Sequence, residues 1–158
     1  MRLIIAICLF LTSLNCYPQT KYKTYYNNRF LFSVKYPNFL IPQGESNNGD
    51  GQRFVSKDKK ITLRTTASYY PPSSKGLYHS YLAYSTDSST TKETFYKIYK
   101  GNWYVISKIL GSNINYEKVV MYSNKNGETV YKTLTFVYPK ARKKELDDIV
   151  NTVAISFK

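Results

Sequence analysis

Residues 94–138 read TFYKIYKGNWYVISKILGSNINYEKVVMYSNKNGETVYKTLTFVY. Four segments rich in β-branched and aromatic residues stand out: Thr94 to Lys100, Trp103 to Leu110, Asn113 to Ser123 and Glu128 to Tyr138. They are separated by Gly101-Asn102, Gly111-Ser112 and Asn124 to Gly127. Asn126-Gly127 suits a tight hairpin turn, whose two central positions need positive φ. Connections this short join antiparallel neighbours, since parallel pairing needs a long crossover. The stretch predicts a four-stranded antiparallel meander.

Working outward, Pro139 opens a last segment in which Leu146, Ile149, Val150, Val153 and Phe157 recur at spacings of three and four. That is the stripe of an amphipathic helix, and Pro139 suits its first turn. Lys140 to Lys144 place positive charge at the helix start, against its dipole. Upstream of the meander, Leu77, Tyr81 and Tyr84 fall at helical spacing behind a Pro71-Pro72 break and a Ser73-Ser74 cap. Gly76 weakens that helix, and Ser85 to Thr91 reads as a polar connector.

Further back, Gln52 to Ser56 and Ile61 to Ser68 predict a hairpin around Lys57 to Lys60. Residues 42–51 read as a loop, rich in glycine and asparagine. Arg29 to Tyr36 (RFLFSVKY) predicts a strand that Pro37 ends, because proline cannot donate to a ladder. Thr20 to Asn28 reads as a polar, tyrosine-rich lead-in. The order β, ββ, α, ββββ, α predicts an α+β domain: a mostly antiparallel sheet of about six to seven strands with helices packed on its faces.

The chain has 158 residues, room for one domain at 20–158 behind a leader at 1–19. Arg2 precedes an apolar run, Leu3 to Leu14, too short to span a bilayer and followed at once by polar sequence. This reads as an export signal, which predicts a periplasmic or secreted protein with no transmembrane span in the mature chain. Asn15 to Gln19 lacks a small-x-small cleavage pattern. Two outcomes stay open: cleavage near Gln19, or lipidation of Cys16 and anchoring to a membrane. Both cysteines, Cys8 and Cys16, lie in the leader, so the mature domain rests on its core rather than on a disulfide.

The formal charge is +13, from 23 Lys and Arg against 10 Asp and Glu. Such a balance fits an anionic lipid or glycan of the envelope. The positives are scattered, however, and arginine, the forked residue suited to phosphate, is scarce. A solvated basic surface explains most of this charge. Export argues against nucleic acid as a partner.

His79 is the one histidine, and on its helix it faces away from the apolar stripe. It has no cysteine or second histidine nearby, and reads as an exposed bystander. No G-x-S-x-G, P-loop, C-x-x-C or H-E-x-x-H motif is present. Glu145, Asp147 and Asp148 read as the outer face of the last helix, and Glu117 as an exposed position of a strand. Asn47-Asn48-Gly49-Asp50-Gly51 carries too few carboxylates for a calcium cage and reads as a structural turn. No catalytic, cofactor-binding or metal residue is assigned, and no cofactor is expected. Seventeen tyrosines exceed what a core needs. Tyr96, Tyr99, Tyr104, Tyr116, Tyr122 and Tyr131 lie in the meander and form the candidate binding surface, for a protein partner or a stacked glycan.

Tyr36-Pro37, Gly49-Asp50-Gly51, Phe54, Ser56 and Asp58 make a recurring pattern of strand end, loop and strand. Tyr96-Lys97, Trp103 to Ser107, Tyr116-Glu117-Lys118, Tyr138-Pro139 and Ile155-Ser156-Phe157 continue it over nearly the whole mature chain. The chain resembles a family of uncharacterised small exported bacterial proteins with a PsbP-like fold. That resemblance implies an α/β/α sandwich around an antiparallel sheet, and relatives that bind or scaffold rather than catalyse. Two positions depart from it. Lys59 stands where a glycine is usual, and Lys108, with Gly111 after it, displaces another.

The expectation is therefore an exported, non-catalytic binding or accessory domain for an envelope or secreted protein. The alternative is an electrostatic binder of envelope polyanions, anchored by lipid at Cys16. A glycan-acting hydrolase ranks below both, since it would need two carboxylates flanking a concave site.

Overall fold

The computed structural model describes residues 20–70, 75–86 and 92–158. The readings of the leader, of Cys16, of the Ser73-Ser74 cap and of most of the polar connector lie outside the described residues. The strands are β1 (Tyr22–Asn27), β2 (Phe32–Pro37), β3 (Leu40–Glu45), β4 (Gly51–Ser56), β5 (Thr62–Tyr69), β6 (Lys92–Lys100), β7 (Trp103–Leu110), β8 (Asn113–Ser123) and β9 (Thr129–Pro139). Helix α1 spans Leu77–Thr86 and α2 spans Lys143–Ser156. The fold is α+β, as expected.

Seven strands form one sheet in the order β3-β4-β5-β9-β8-β7-β6, and β1 pairs with β2 in a separate ribbon. All pairings are antiparallel. The predicted meander is β6 to β9. Three expectations need correction. The strand read at Arg29 to Tyr36 is β2, and it belongs to the ribbon. The lead-in contains β1, and the loop read at 42–51 begins inside β3, which joins the sheet. Both strands escaped the pattern because they bury so little: β1 buries Tyr25 and Asn27, and β3 buries Leu40.

Pro139 also sits differently. It ends β9 with φ −60 and ψ 132, a short 3-10 turn (Lys140–Arg142) follows, and α2 starts at Lys143. Extended ψ at Pro139 finishes the ladder, so the first helical turn forms three residues later.

Alternation in β9 sorts the two sheet faces. Val130, Lys132, Leu134, Phe136 and Tyr138 are buried on one face, while the intervening residues are half-buried on the other. The first face carries the main core, closed by the ribbon and by α2 through Phe32, Val34, Leu146, Val150 and Val153. Tyr36 and Phe54 pack with ring centroids 4.4 Å apart. The C-terminus locks against the ribbon, with Ser33 and Lys158 exchanging backbone hydrogen bonds of 2.9 and 3.2 Å. The second face carries a smaller core, where α1 lays Leu77 on Tyr104, Ile106 and Val119.

The helices are staggered: α2 contacts β2 and β9, whereas α1 contacts β6 and β7. Each face is therefore covered over only part of its width. Among the described residues, no helix is long and apolar enough to cross a membrane.

Two turns explain matched motifs. Ser56 Oγ donates to Asp58 Oδ1 at 2.5 Å, and Asp58 Oδ1 accepts the Lys60 amide at 3.1 Å. Lys59, inside this turn, has φ 60, the left-handed region where glycine is usual. Gly51 is required for another reason: a Cβ there would lie 1.9 Å from the Thr65 carbonyl oxygen. Asn27 holds the preceding loop by donating 2.9 Å to the Gly49 carbonyl. The Asn47 to Gly51 loop is thus a pinned turn, and no metal-holding cluster of His, Cys, Asp and Glu occurs among the described residues.

Candidate functional site

Because α2 stops short of the β6 side, the first face of β6, β7 and β8 stays open beside it. The result is a groove of about 630 Å³. Its floor is Tyr96, Trp103, Val105, Ser107, Tyr116 and Lys118, and its wall is the flank of α2 at Val150, Asn151, Ala154 and Ile155. Register accounts for the floor. Tyr96 opposes Ser107, Val105 opposes Lys118 and Ser107 opposes Tyr116, so these side chains share one face.

A β-bulge shapes the outer lip. Thr94 pairs with Lys108 and Tyr96 with Ser107, which leaves Phe95 as the extra residue. A bulge re-aims side chains, and here Phe95 and Tyr96 both line the groove, at 41% and 49% exposure. Two neighbouring aromatic rings are thus half in solvent, with Lys143 of α2 lying 5.9 Å from the Phe95 ring centroid.

The inner end is polar. Lys118 Nζ donates 2.7 Å to the Ala154 carbonyl in the last turn of α2 and lies 5.9 Å from the Trp103 ring centroid. It satisfies an orphan carbonyl at the negative end of the helix dipole. Burial holds its ammonium below the usual lysine range. At the other end Lys143 and Asp147 form an ion pair at 2.5 Å. Asp147 is the one carboxylate among the lining residues, and Tyr138 Oη donates to it at 3.5 Å. Hydrophobic aromatic walls with a few placed polar groups are the usual make-up of a binding site.

The six candidate tyrosines do not share one surface. Tyr96 and Tyr116 are in the groove. Tyr122 is on the same face but packs on the main core, and its hydroxyl donates to the Phe30 carbonyl. Tyr99, Tyr104 and Tyr131 lie on the second face in the core under α1. Tyr81 of α1 stacks near Tyr99 and Tyr104, at 5.5 and 5.8 Å between centroids. Phe95, Trp103, Val150 and Ile155 were not among the binding residues expected from the sequence. The one local signal was the broken alternation at Thr94-Phe95-Tyr96.

Glu117 is half-buried on the second face rather than exposed. Tyr104 Oη donates to its Oε1 at 3.3 Å and lies 3.4 Å from Tyr131 Oη. Burial pushes the Glu117 carboxyl up, and burial beside that carboxyl pushes the Tyr104 hydroxyl up as well. This cluster is on the opposite side of the sheet from the groove. His79 is exposed on α1, and Glu145, Asp147 and Asp148 are exposed on α2, as expected.

No protein-family model matches the chain, and no curated protein does. Solved structures do match in fold. The solution structure of cyanobacterial PsbP (CyanoP) from Synechocystis superposes with a TM-score of 0.61 at 17% identity, covering 94% of this chain and 98% of its own. The Ran-binding protein Mog1p of Saccharomyces cerevisiae gives 0.56 at 8% identity, covering 88% and 95%. A protein from Bacteroides thetaiotaomicron gives 0.51 at 15% identity, covering 86% and 47%. The fold is PsbP-like.

Proposed function

We propose that this protein is an exported binding or accessory domain without catalysis of its own, and that its partner seats in the groove between α2 and β6 to β8. The observation that carries this reading is the groove itself: aromatic, open, with Lys118 at its inner end and Lys143 at the other. Its lining offers a surface for contact and little for chemistry, since Asp147 is paired with Lys143. A retaining or inverting hydrolase would need a second carboxylate about 5–10 Å away. One fold relative is a Ran-binding protein, so this architecture can present a face to another protein. The apolar run of Leu3 to Leu14 supports export, and lipidation of Cys16 would tether the domain to a membrane.

The test is capture after crosslinking in the native envelope, washed at low and high salt. A stoichiometric protein partner that survives high salt is expected. Recovery of salt-labile lipid or glycan alone would overturn the reading.

A second reading is favoured by a separate observation. Arg53 and Arg64 are cross-strand partners, both exposed on the second face. Like charges placed directly opposite are unfavourable, and the Asp50 carboxylate near Arg64 offsets part of that repulsion. Thr62, Thr66, Thr133 and Thr135 share that face by register, and α1 does not reach it. This would be the seat of an envelope polyanion. Binding there would weaken steeply with salt and be lost in Arg64→Gln while the groove stayed intact.

A further inference from the structure

The sheet has two edges, and they are treated differently. At one end β3 pairs with β4 at Leu40, Ile41 and Pro42, then shifts register before Glu45. Pro42 has no N–H to offer, and Gly44 turns the strand away at φ 89. Proline and bulges are the devices by which natural sheets close an edge to further pairing. At the other end stands β6, nine residues long and free of proline. Among the described residues it is paired on its β7 side alone. Beyond the Phe95 bulge, Tyr96 to Lys100 run in regular register against Ser107 to Trp103. Alternate residues of such a strand turn N–H and C=O outward, ready for another strand.

Resting on the groove reading above, we propose that β6 is a docking edge that accepts an acidic, extended segment of a partner protein as an eighth strand of the sheet. Register dictates the pattern that segment should carry. Tyr96 and Ile98 face the groove side, whereas Lys97 and Tyr99 face the other. Apolar side chains of the added strand would fall beside Phe95, Tyr96 and Ile98 and close over the groove mouth. Acidic side chains between them would meet Lys97. Lys100, at the Trp103 end, offers a second cation on the groove side. Main-chain pairing supplies the affinity and the alternate pockets supply the choice of sequence, as in other strand-addition complexes.

The charges select this occupant over a second copy of the chain. Two β6 edges brought together would each bring Lys92, Lys97 and Lys100 against a single Glu93, in a protein of net charge +13. An edge lysine blocks self-pairing and at the same time favours a carboxylate opposite it. The edge thus stays open to a heterologous acidic strand and closed to aggregation.

The test uses the protein and a blocked heptapeptide in which glutamate alternates with valine and phenylalanine. Two control peptides accompany it, one with lysine for every glutamate and one N-methylated at alternate amides. The readouts are the emission of Trp103, the one tryptophan of the chain, and hydrogen exchange at β6. The acidic peptide is expected to shift the emission and to protect alternate amides between Tyr96 and Lys100. The lysine and N-methyl peptides are expected not to bind. Lys97→Glu should weaken the acidic peptide about threefold to tenfold and bring in the lysine peptide. If the N-methyl peptide binds as well as its parent and β6 exchange is unchanged, strand addition is wrong while groove binding stands. If none of the peptides binds, the proposal is overturned, and envelope capture still tests the groove.

Discussion

Lys118 Nζ reaches from the floor strand β8 to the carbonyl of Ala154 in the last turn of α2, at 2.7 Å. This bond ties the floor of the groove to its wall, beside the core packing of Leu146, Val150 and Val153. It also provides an end to a helix whose last turn has no basic residue of its own. Sheet, helix end and site geometry are therefore coupled through one side chain.

Replacing Lys118 by Met keeps the stem and removes the donor. The Ala154 carbonyl is then left without its partner in a half-buried setting. We expect a loss of about 1–2 kcal/mol, read by urea unfolding. An unchanged midpoint would show that the bond does not hold α2 in place.

Stability should depend on pH in two opposed limbs. Lys132 is buried with its Nζ 6.0, 5.0 and 5.1 Å from the ring centroids of Phe32, Tyr122 and Phe157. Burial pulls its ammonium from 10.5 down to about 8. Between those values the unfolded chain holds the extra proton, so stability rises with pH. Tyr25 and Tyr138 act oppositely, since burial foremost pushes their hydroxyls from 10.0 up to about 12. Above 10.0 the unfolded chain ionises first, and stability falls. Tm should climb from about pH 8 to near pH 10 and drop beyond it, and Lys132→Met should shrink the rising limb to the part that Lys118 contributes, leaving the falling limb in place.

Lys59 occupies left-handed backbone at φ 60. A side chain there costs about 1–2 kcal/mol, part of which glycine returns to the flexibility of the unfolded chain. Lys59→Gly should stabilise the protein by about 0.5–1 kcal/mol in thermal or urea unfolding. Destabilisation would mean that the lysine side chain makes a contact worth more than the strain.

Val150 is 5% exposed, packed in the main core and lining the groove from beneath. Val150→Asp should destabilise by several kcal/mol and unfold the domain, because the charge would be buried without a partner. Asn151→Asp, one residue on and exposed, should leave Tm nearly unchanged. Circular dichroism melts separate the two outcomes.

The elements that could be read from sequence were those whose pattern is local. β6 to β9 carried dense β-formers between glycine turns, and α2 carried four apolar residues at helical spacing, with Phe157, the fifth of the stripe, just beyond its end. β1 and β3 could not be read because each lies at the end of its ladder and buries little: Tyr25 and Asn27 in β1, Leu40 in β3. YKTYYN is mostly polar, and LIPQGE carries a proline and a glycine, yet each completes a ladder that another strand has already started. The site was legible only in fragments. Tyr96 and Tyr116 lie in the groove, but four other tyrosines went into packing, because strand alternation divides them between two faces. What makes the groove is the distance by which α2 falls short of β6. That is a property of helix placement on the sheet, and no residue pattern within either element encodes it.

The most direct test of the groove as the binding site is a pair of photoreactive variants in the native envelope. p-Benzoylphenylalanine is placed at Ile155, on the wall and 65% exposed, and separately at Thr66, on the opposite face. A discrete crosslinked product is expected from position 155 and none from position 66. A product from position 66 alone would contradict it and move the binding site to the face of Arg53 and Arg64.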